Sequence, residues 1–473
     1  MKKLRVSLIG IVVAAAIIAV SGCGSSSSSG GNQAPPSASS ATTSGGLATI
    51  NAGSLVIAFV PVGTGISVVP IKQSGSTFTT ASYGGAKLNE MSAAVSQITI
   101  TTSFNVNSCA ADAPNLKIIC VGYTSSKVAI IDVSGYIASG AAPTVKEYDL
   151  GNTKYSSFSG GSCLDCGVLP DPTDKGFIVS SGDGYRVVNY SGTVIKQFLS
   201  DLTATPPVDL STENFGYDPV NNRIYSPEYA DGGSITSTDE YLWVIDVNKS
   251  KVYHWSKRMV DTNTDATNGI PELNSTGIGS LTADAVSVDP STGLVTIGHE
   301  WTPLLLIVNM NAAVFNDSTG TFDAPYAVVP LQNVYSPGSL LTTGMVIEPT
   351  SHIMFLEEEF GDAIGAAQMP SSAAAGSVTI TSYTSAQIPT PTTVCPSLSS
   401  WSNVGDPHGL SAFTAVIGGK PMGLLIDGSK SCLAIVDLQG LLAAPKGTGT
   451  SANQVSPTYD LLGNHIVSFI SLQ

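Results

Sequence analysis

Glu213, Asp284 and His408 lie far apart in the chain, yet they are the residue types that hold a hard divalent cation or move a proton. They also occupy matching places in an internal repeat. Asp284 stands five residues before Asp289 and Glu213 five before Asp218, and both of those later acids are followed by proline. Matching His408-Gly-Leu-Ser-Ala-Phe413 to Asp284-Ala-Val-Ser-Val-Asp289 puts His408 at the same offset, and Cys166 and Thr343 take that place in two further copies. Equivalent positions in stacked repeats converge on one level of a fold, so these residues are expected to ring one opening. There they would form a mixed oxygen and nitrogen site for a divalent ion, or a set of solvated side chains.

A second set follows each acid-proline pair by about ten residues: Glu228, His299 with Glu300, and Glu357, Glu358 and Glu359. Asp183 and Asp427 close similar apolar runs. Clustered carboxylates raise one another's pKa and can supply an acid-base couple. His408, within Asp406-Pro407-His408-Gly409, is the candidate base, the alternative being a hydrogen-bonded histidine in a turn.

Two local motifs add further chemistry. The segment from Asp261 to Glu272 places Asp261, Asn263 and Asp265 at positions 1, 3 and 5 and Glu272 at position 12, the oxygen spacing of a calcium loop. Ala266 stands where such a loop needs glycine, and no amphipathic helix flanks it, so a looser calcium loop is the form expected, against a plain polar surface loop. Cys163-Leu-Asp-Cys166 has redox spacing, but no βαβ pattern surrounds it and no histidine follows, which favours a structural bridge and excludes covalent c-type haem. The chain carries no Gly-x-Ser-x-Gly elbow, no His-Glu-x-x-His, no phosphate loop and no dinucleotide fingerprint.

The elements that must position these residues are strands. Gly167–Gly182, Phe215–Ala230, Ala285–Glu300 and Gly344–Glu359 each read as an apolar run, an acid-proline pair, a short polar turn and a second apolar run. A hairpin of this kind cannot bury its own faces and must stack on its neighbours. With 48 Gly, 27 Pro and only 12% charged residues, the composition favours β structure over helices. Strand pairs from Leu47 onward fall into about seven groups, and His465–Leu472 is placed to close a ring on the first. Four-stranded units with insertions of variable length predict an all-β β-propeller of seven blades, six or eight being compatible with the same pattern. Tyr241, Trp243, Tyr253 and Trp255 alternate along two of these strands, as residues packed between blades would.

On the acid-proline turns and on Tyr241–Trp255, the chain resembles the YVTN/NHL/gluconolactonase-like propellers at the level of the superfamily. The resemblance spans residues 47–473 as architecture. It implies a divalent metal at the channel mouth, although that group's ligand pattern has no residue-by-residue match here.

The N-terminus carries a separate signal. Lys2, Lys3 and Arg5 precede an apolar run from Leu8 to Val20, too short to span a membrane comfortably, and Val20-Ser21-Gly22-Cys23 resembles a bacterial lipobox. Residues 1–22 therefore read as a lipoprotein signal peptide. Cys23 would be the acylated anchor, and residues 23–46, rich in Ser, Gly and Pro, a flexible tether. With Gly24 rather than Asp after the cysteine, the resemblance to Gram-negative lipoproteins implies the outer membrane, facing either periplasm or cell surface. Loss of the three N-terminal cations takes the formal charge from −15 to −18, which argues against nucleic acid as a partner. The six remaining cysteines suit an exported, disulfide-bonded protein. The pairs Cys109–Cys120, Cys163–Cys166 and Cys395–Cys432 are favoured among 15 possible pairings, because each closes a local hairpin or joins neighbouring strands.

Two functions fit these observations. One is a lipid-anchored envelope propeller that binds a protein, polymer or small ligand without catalysis. The other is a metal-dependent hydrolase, lactonase or lyase at the acidic mouth, with an ion such as Ca2+ as its only implied cofactor.

Overall fold

The computed structural model describes residues 55–62, 64–74, 77–80, 98–122, 125–139, 141–151, 167–181, 183–210, 214–228, 239–261, 283–299, 302–330, 341–359, 363–371, 382–387, 411–414, 421–427, 432–443, 454–455 and 468–472. The signal, the tether, Cys163, Cys166, Glu213, Asn263, Asp265, Glu272, Glu300, Cys395 and His408 lie outside the described residues.

Seven sheets of four or more strands follow one another along the described chain as the blades of a β-propeller. The innermost strands of blades 2 to 7 are Val106–Asp112, Val168–Asp171, Gly216–Asp218, Ala283–Asp289, Leu341–Glu348 and Ser411–Thr414. Each pairs antiparallel with the strand that follows it, and the third and fourth strands continue outward. In blade 1, Leu55–Val62 pairs on one side with Gly65–Ser74 and on the other with Ser468–Leu472 from the far end of the chain. That last strand is the innermost of its blade and touches the inner strands of blades 2 and 7. The ring closes as its sequence predicts.

Alternation along each strand supplies the packing between blades. In the third strand of blade 4, Trp243 and Ile245 face Ile178 and Tyr185 of blade 3, while Leu242 and Val244 face Val286 and Val295 of blade 5. Trp243, Tyr253 and Trp255 are buried, consistent with packing between blades, and Tyr241 is half-buried.

The cysteines divide into two situations. Cys109 and Cys120 stand directly opposite on the first two strands of blade 2 and form a buried disulfide, as expected of a hairpin bridge. Cys432 opens the third strand of blade 7, Cys432–Asp437, where its partner across the ladder is Asp427. A bridge from Cys432 is therefore not a cross-strand disulfide to the second strand of its own blade, and the residue expected to pair with it, Cys395, lies outside the described residues. Both members of the Cys163–Cys166 pair lie outside them as well, so Cys109–Cys120 is the one expected bridge formed among the described residues.

Four features differ from the expected strand pattern. Ala363–Gln368 is the third strand of blade 6, although its Ala- and Gly-rich sequence has weak β preference. The fourth strand, Ser382–Gln387, follows a few residues later than the apolar run suggests. Between the third and fourth strands of blade 5, a hairpin (Val314–Asn316 and Thr321–Asp323) crosses to blade 4 and pairs in parallel with its outer strand, Lys251–Trp255. Two short helices, Ser134–Ser139 and Leu438–Ala443, also interrupt the β pattern.

Candidate ligand-binding mouth of the channel

The innermost strands end very differently at their two ends. At the C-terminal end sit the acids of the repeat. Asp171, Asp218, Asp289 and Glu348 are at most 1% exposed, and Asp112 joins them at the same place in blade 2. Its proline comes one residue late, in Asp112-Ala113-Pro114, which hides this fifth copy from a search for adjacent acid and proline.

Each carboxylate holds its own turn. Asp171 Oδ1 accepts from the backbone N–H groups of Thr173 and Asp174, at 3.1 Å each. Asp218 Oδ1 does the same for Val220 and Asn221, Asp112 for Asn115, Asp289 for Ser291 and Glu348 for Ser351. Four residues after each acid the chain turns left-handed, at Leu116, Lys175, Asn222, Gly293 and His352. Only Gly293 enters that region without a Cβ penalty.

Neighbouring blades then grip the same acids. The Tyr217 hydroxyl of blade 4 donates to Asp171 Oδ1 at 2.7 Å. His352 of blade 6 donates from Nδ1 to Asp289 Oδ2 at 2.6 Å, and Tyr190 of blade 3 donates to Asp112. The environments tune these groups in opposite directions. Burial pushes the Asp171 carboxyl above the usual carboxylate range despite the Tyr217 bond, and its Oδ2 has no partner among the described residues. Burial also acts on Asp289, but the bonds from Ser291 and the His352 ring outweigh it and hold the carboxyl below that range.

At the N-terminal end the ladder is broken instead. In blades 2, 5 and 6 the register slips between Val106 and Ser108, between Ala283 and Ala285, and between Thr342 and Gly344. The residues left over are Asn107, Asp284 and Thr343. Each is the fifth residue before its blade's buried acid, the offset at which Glu213, Cys166 and His408 stand in the sequence. A β-bulge leaves one residue unpaired and re-aims the strand around it, and such bulges are over-represented beside binding and active sites.

The second predicted set lies at the same end. His299 pairs with Ala283, next to the Asp284 bulge. Glu357 and Glu358 pair with Gly344 and Thr342 on either side of Thr343, and Glu359 with Leu341. The backbone thus brings Asp284 and Thr343 together with His299 and Glu357–Glu359 at one end of the inner strands.

Two members of the predicted face are occupied structurally. Glu228 is buried, and its Oε2 accepts from the Tyr241 N–H at 3.0 Å where the third strand of blade 4 begins. Asp183 takes a two-point bond from the buried Arg186, at 2.7 and 2.8 Å. Burial works against its ionisation, but Arg186 and Ser181 hold the Asp183 carboxyl below the usual range. Asp261 closes a two-stranded ribbon with Asp239, at the head of the predicted calcium loop. Among the described residues, no three His, Cys, Asp or Glu side chains converge to hold an ion.

The architecture is that of the β-propeller proteins. No family model matches the chain, and no curated protein matches its sequence. Among solved structures, it is similar to a protein from Lactobacillus plantarum (10% identity, TM-score 0.50, covering 88% of this chain and 99% of that one). It is likewise similar to a proposed 6-phosphogluconolactonase from Bacteroides uniformis (10% identity, TM-score 0.50, covering 88% of this chain and 100% of that one). At this identity the likeness establishes the fold alone.

Proposed function

We propose that the protein is a lipid-anchored propeller of the cell envelope that captures a ligand at the bulged mouth of its channel. Cys23 carries the anchor, and residues 23–46 give the propeller reach from the membrane. The reading rests on one observation above all: a bulge recurs at the same offset in three blades, the offset at which the sequence predicts a ring of polar residues. A ligand approached from several blades gives a reason to repeat an unpaired residue at one offset. The ligand is a protein segment, polymer or small molecule that accepts a carboxylate-rich rim.

The second reading keeps the same place and adds chemistry. Glu213, Asp284 and His408 would hold a divalent ion such as Ca2+, and His408 would move the proton in a hydrolase, lactonase or lyase reaction. Metal analysis of the full chain, purified without chelator, separates the two. A stoichiometric ion lost from both His408→Ala and Asp284→Ala supports the metal enzyme. Metal content equal to that of the parent in both variants removes it and leaves the binding module. For the loop at Asp261, calcium is expected to raise the melting temperature of the parent, and Asp261→Ala to reduce that rise. No rise in the parent ends the calcium assignment.

A further inference from the structure

The hairpin that leaves blade 5 builds a second site, remote in sequence from the mouth residues. Its near side is clamped onto blade 4. Phe315 packs edge-on against Tyr253 at 4.9 Å, Phe322 stacks on Trp255, and the Arg223 guanidinium sits 4.4 Å over the Phe315 ring. At the tip, Asp317 accepts from the Tyr253 hydroxyl and pairs with Lys251 at 3.5 Å and Lys249 at 4.0 Å. Backbone bonds from His254 N to Gly320 O and from Ser256 N to Phe322 O complete the attachment. What lies against the other side of the hairpin is therefore preformed.

There an open groove runs between Ser256 and Lys257 on one wall and Val314 and Asn316 on the other, with Asp323 and Tyr326 also lining it. Its polar side chains are those of Ser256, Lys257, Asn316, Thr321, Asp323 and Tyr326, with Lys257 the one cation among them. The Lys257 ammonium lies 5.8 Å from the Tyr326 ring centroid and has no carboxylate partner among the described residues, in a chain of net charge −15. Asn316 spends its carbonyl oxygen on the N–H and hydroxyl of Ser318, which leaves its amide NH2 as a donor. Asp323 Oδ1 already accepts from Ser256 and from the Ala324 N–H. Val314, 71% exposed, supplies an apolar patch beside these donors.

We propose that this groove binds an acidic saccharide, its uronate carboxylate on Lys257, its hydroxyls on Asn316 and its C–H face against Val314 and Tyr326. Lys257 would form a charge-assisted bond to the carboxylate. A peptide added as a further strand fits less well, because the free edge of the hairpin, Val314–Asn316, is only three residues long.

The test is calorimetric titration of the full chain with trigalacturonate, and with maltotriose as the neutral comparator. Trigalacturonate is expected to bind and maltotriose to bind at least about tenfold more weakly, the loss of one charged hydrogen bond. Lys257→Gln, a surface change that leaves the melting temperature in place, should lower trigalacturonate affinity by about tenfold and remove the preference. Asp284→Ala should leave this binding unchanged, which keeps the test separate from the channel mouth. Failure of trigalacturonate to bind at millimolar concentration overturns the proposal. So does equal binding of the two sugars, or binding that survives Lys257→Gln but is lost in Asp284→Ala.

Discussion

The two ends of the innermost strands carry similar residues and put them to opposite use. At the C-terminal end, Asp112, Asp171, Asp218 and Asp289 are buried, bonded to their own turns, and in three cases held by the next blade. At the N-terminal end, Asp284 stands at a break in the ladder, beside Thr343 and Glu357–Glu359 in the next blade. A carboxylate tied by several donors is part of the frame, whereas Asp284 sits where the backbone ladder is broken. The difference lies in backbone register, which residue type does not reveal.

The largest effect should come from cutting the frame. Asp289→Ala removes the acceptor for Ser291 and His352 together, and a loss of about 3 kcal/mol is expected in urea unfolding, as for breaking a buried hydrogen-bonded pair. A loss below about 0.5 kcal/mol would put Asp289 in the same class as ordinary surface residues. Tyr217→Phe is milder. It takes one donor from Asp171, should cost about 1 kcal/mol, and should raise the Asp171 pKa further, which carbon-detected NMR titration can follow.

pH sharpens the contrast within the frame. The Asp289 carboxyl is held low, so its contribution is fully present above the ordinary carboxylate pKa of about 4 and is lost as pH falls through the lower folded value. Asp171 is pushed high, so its ionisation costs stability as pH rises from about 4 through the folded value. Unfolding at pH 7 and at acid pH should therefore show Asp289→Asn losing most at pH 7. Asp171→Asn should instead gain relative to the parent on going from pH 4 to pH 7. Equal pH slopes for the two variants would erase the distinction.

The smallest stability effect belongs to the mouth. Thr343→Ala and Asp284→Ala should stay within about 0.5 kcal/mol of the parent, because neither residue sits opposite a ladder partner. A loss as large as that of Asp289→Ala would make the bulges structural and remove the main support for a binding mouth.

Much of the frame was legible because its signals are local. An acid, a proline and two apolar runs mark a blade within sixteen residues, and the alternation of Trp243 with Val244 puts them on opposite faces of their strand. Asp112 escaped that search only because its proline is displaced by one. The hairpin at Val314–Asp323 could not be read, since its pairing partner belongs to the preceding blade and its residues carry no sign of that address. The candidate mouth was legible as an offset of five residues but not as a bulge, because an unpaired residue looks like any other until the partner strand is known. Asp183 shows the limit from the other side: its strand-end position suggested a ligand face, and Arg186 three residues later holds it in the frame. Among the cysteines, Cys109 and Cys120 flank one turn and meet across it, as their spacing suggests.

The strand Ser468–Leu472 has a consequence for the order of assembly. A chain made from its N-terminus produces Leu55–Val62 early, yet Leu55 meets Leu472, its inner neighbour, only when nearly everything between has been made. Blade 1 is thus the first to be started and the last to be finished. Until the final strand arrives, its inner edge is an open template on which any extended chain could pair. Closure of the ring is a long-range event with a large entropy cost, expected to be slow compared with the hairpins that precede it. The clasp that makes the finished molecule a circle leaves the growing one, until Ser468–Leu472 is made, an open arc.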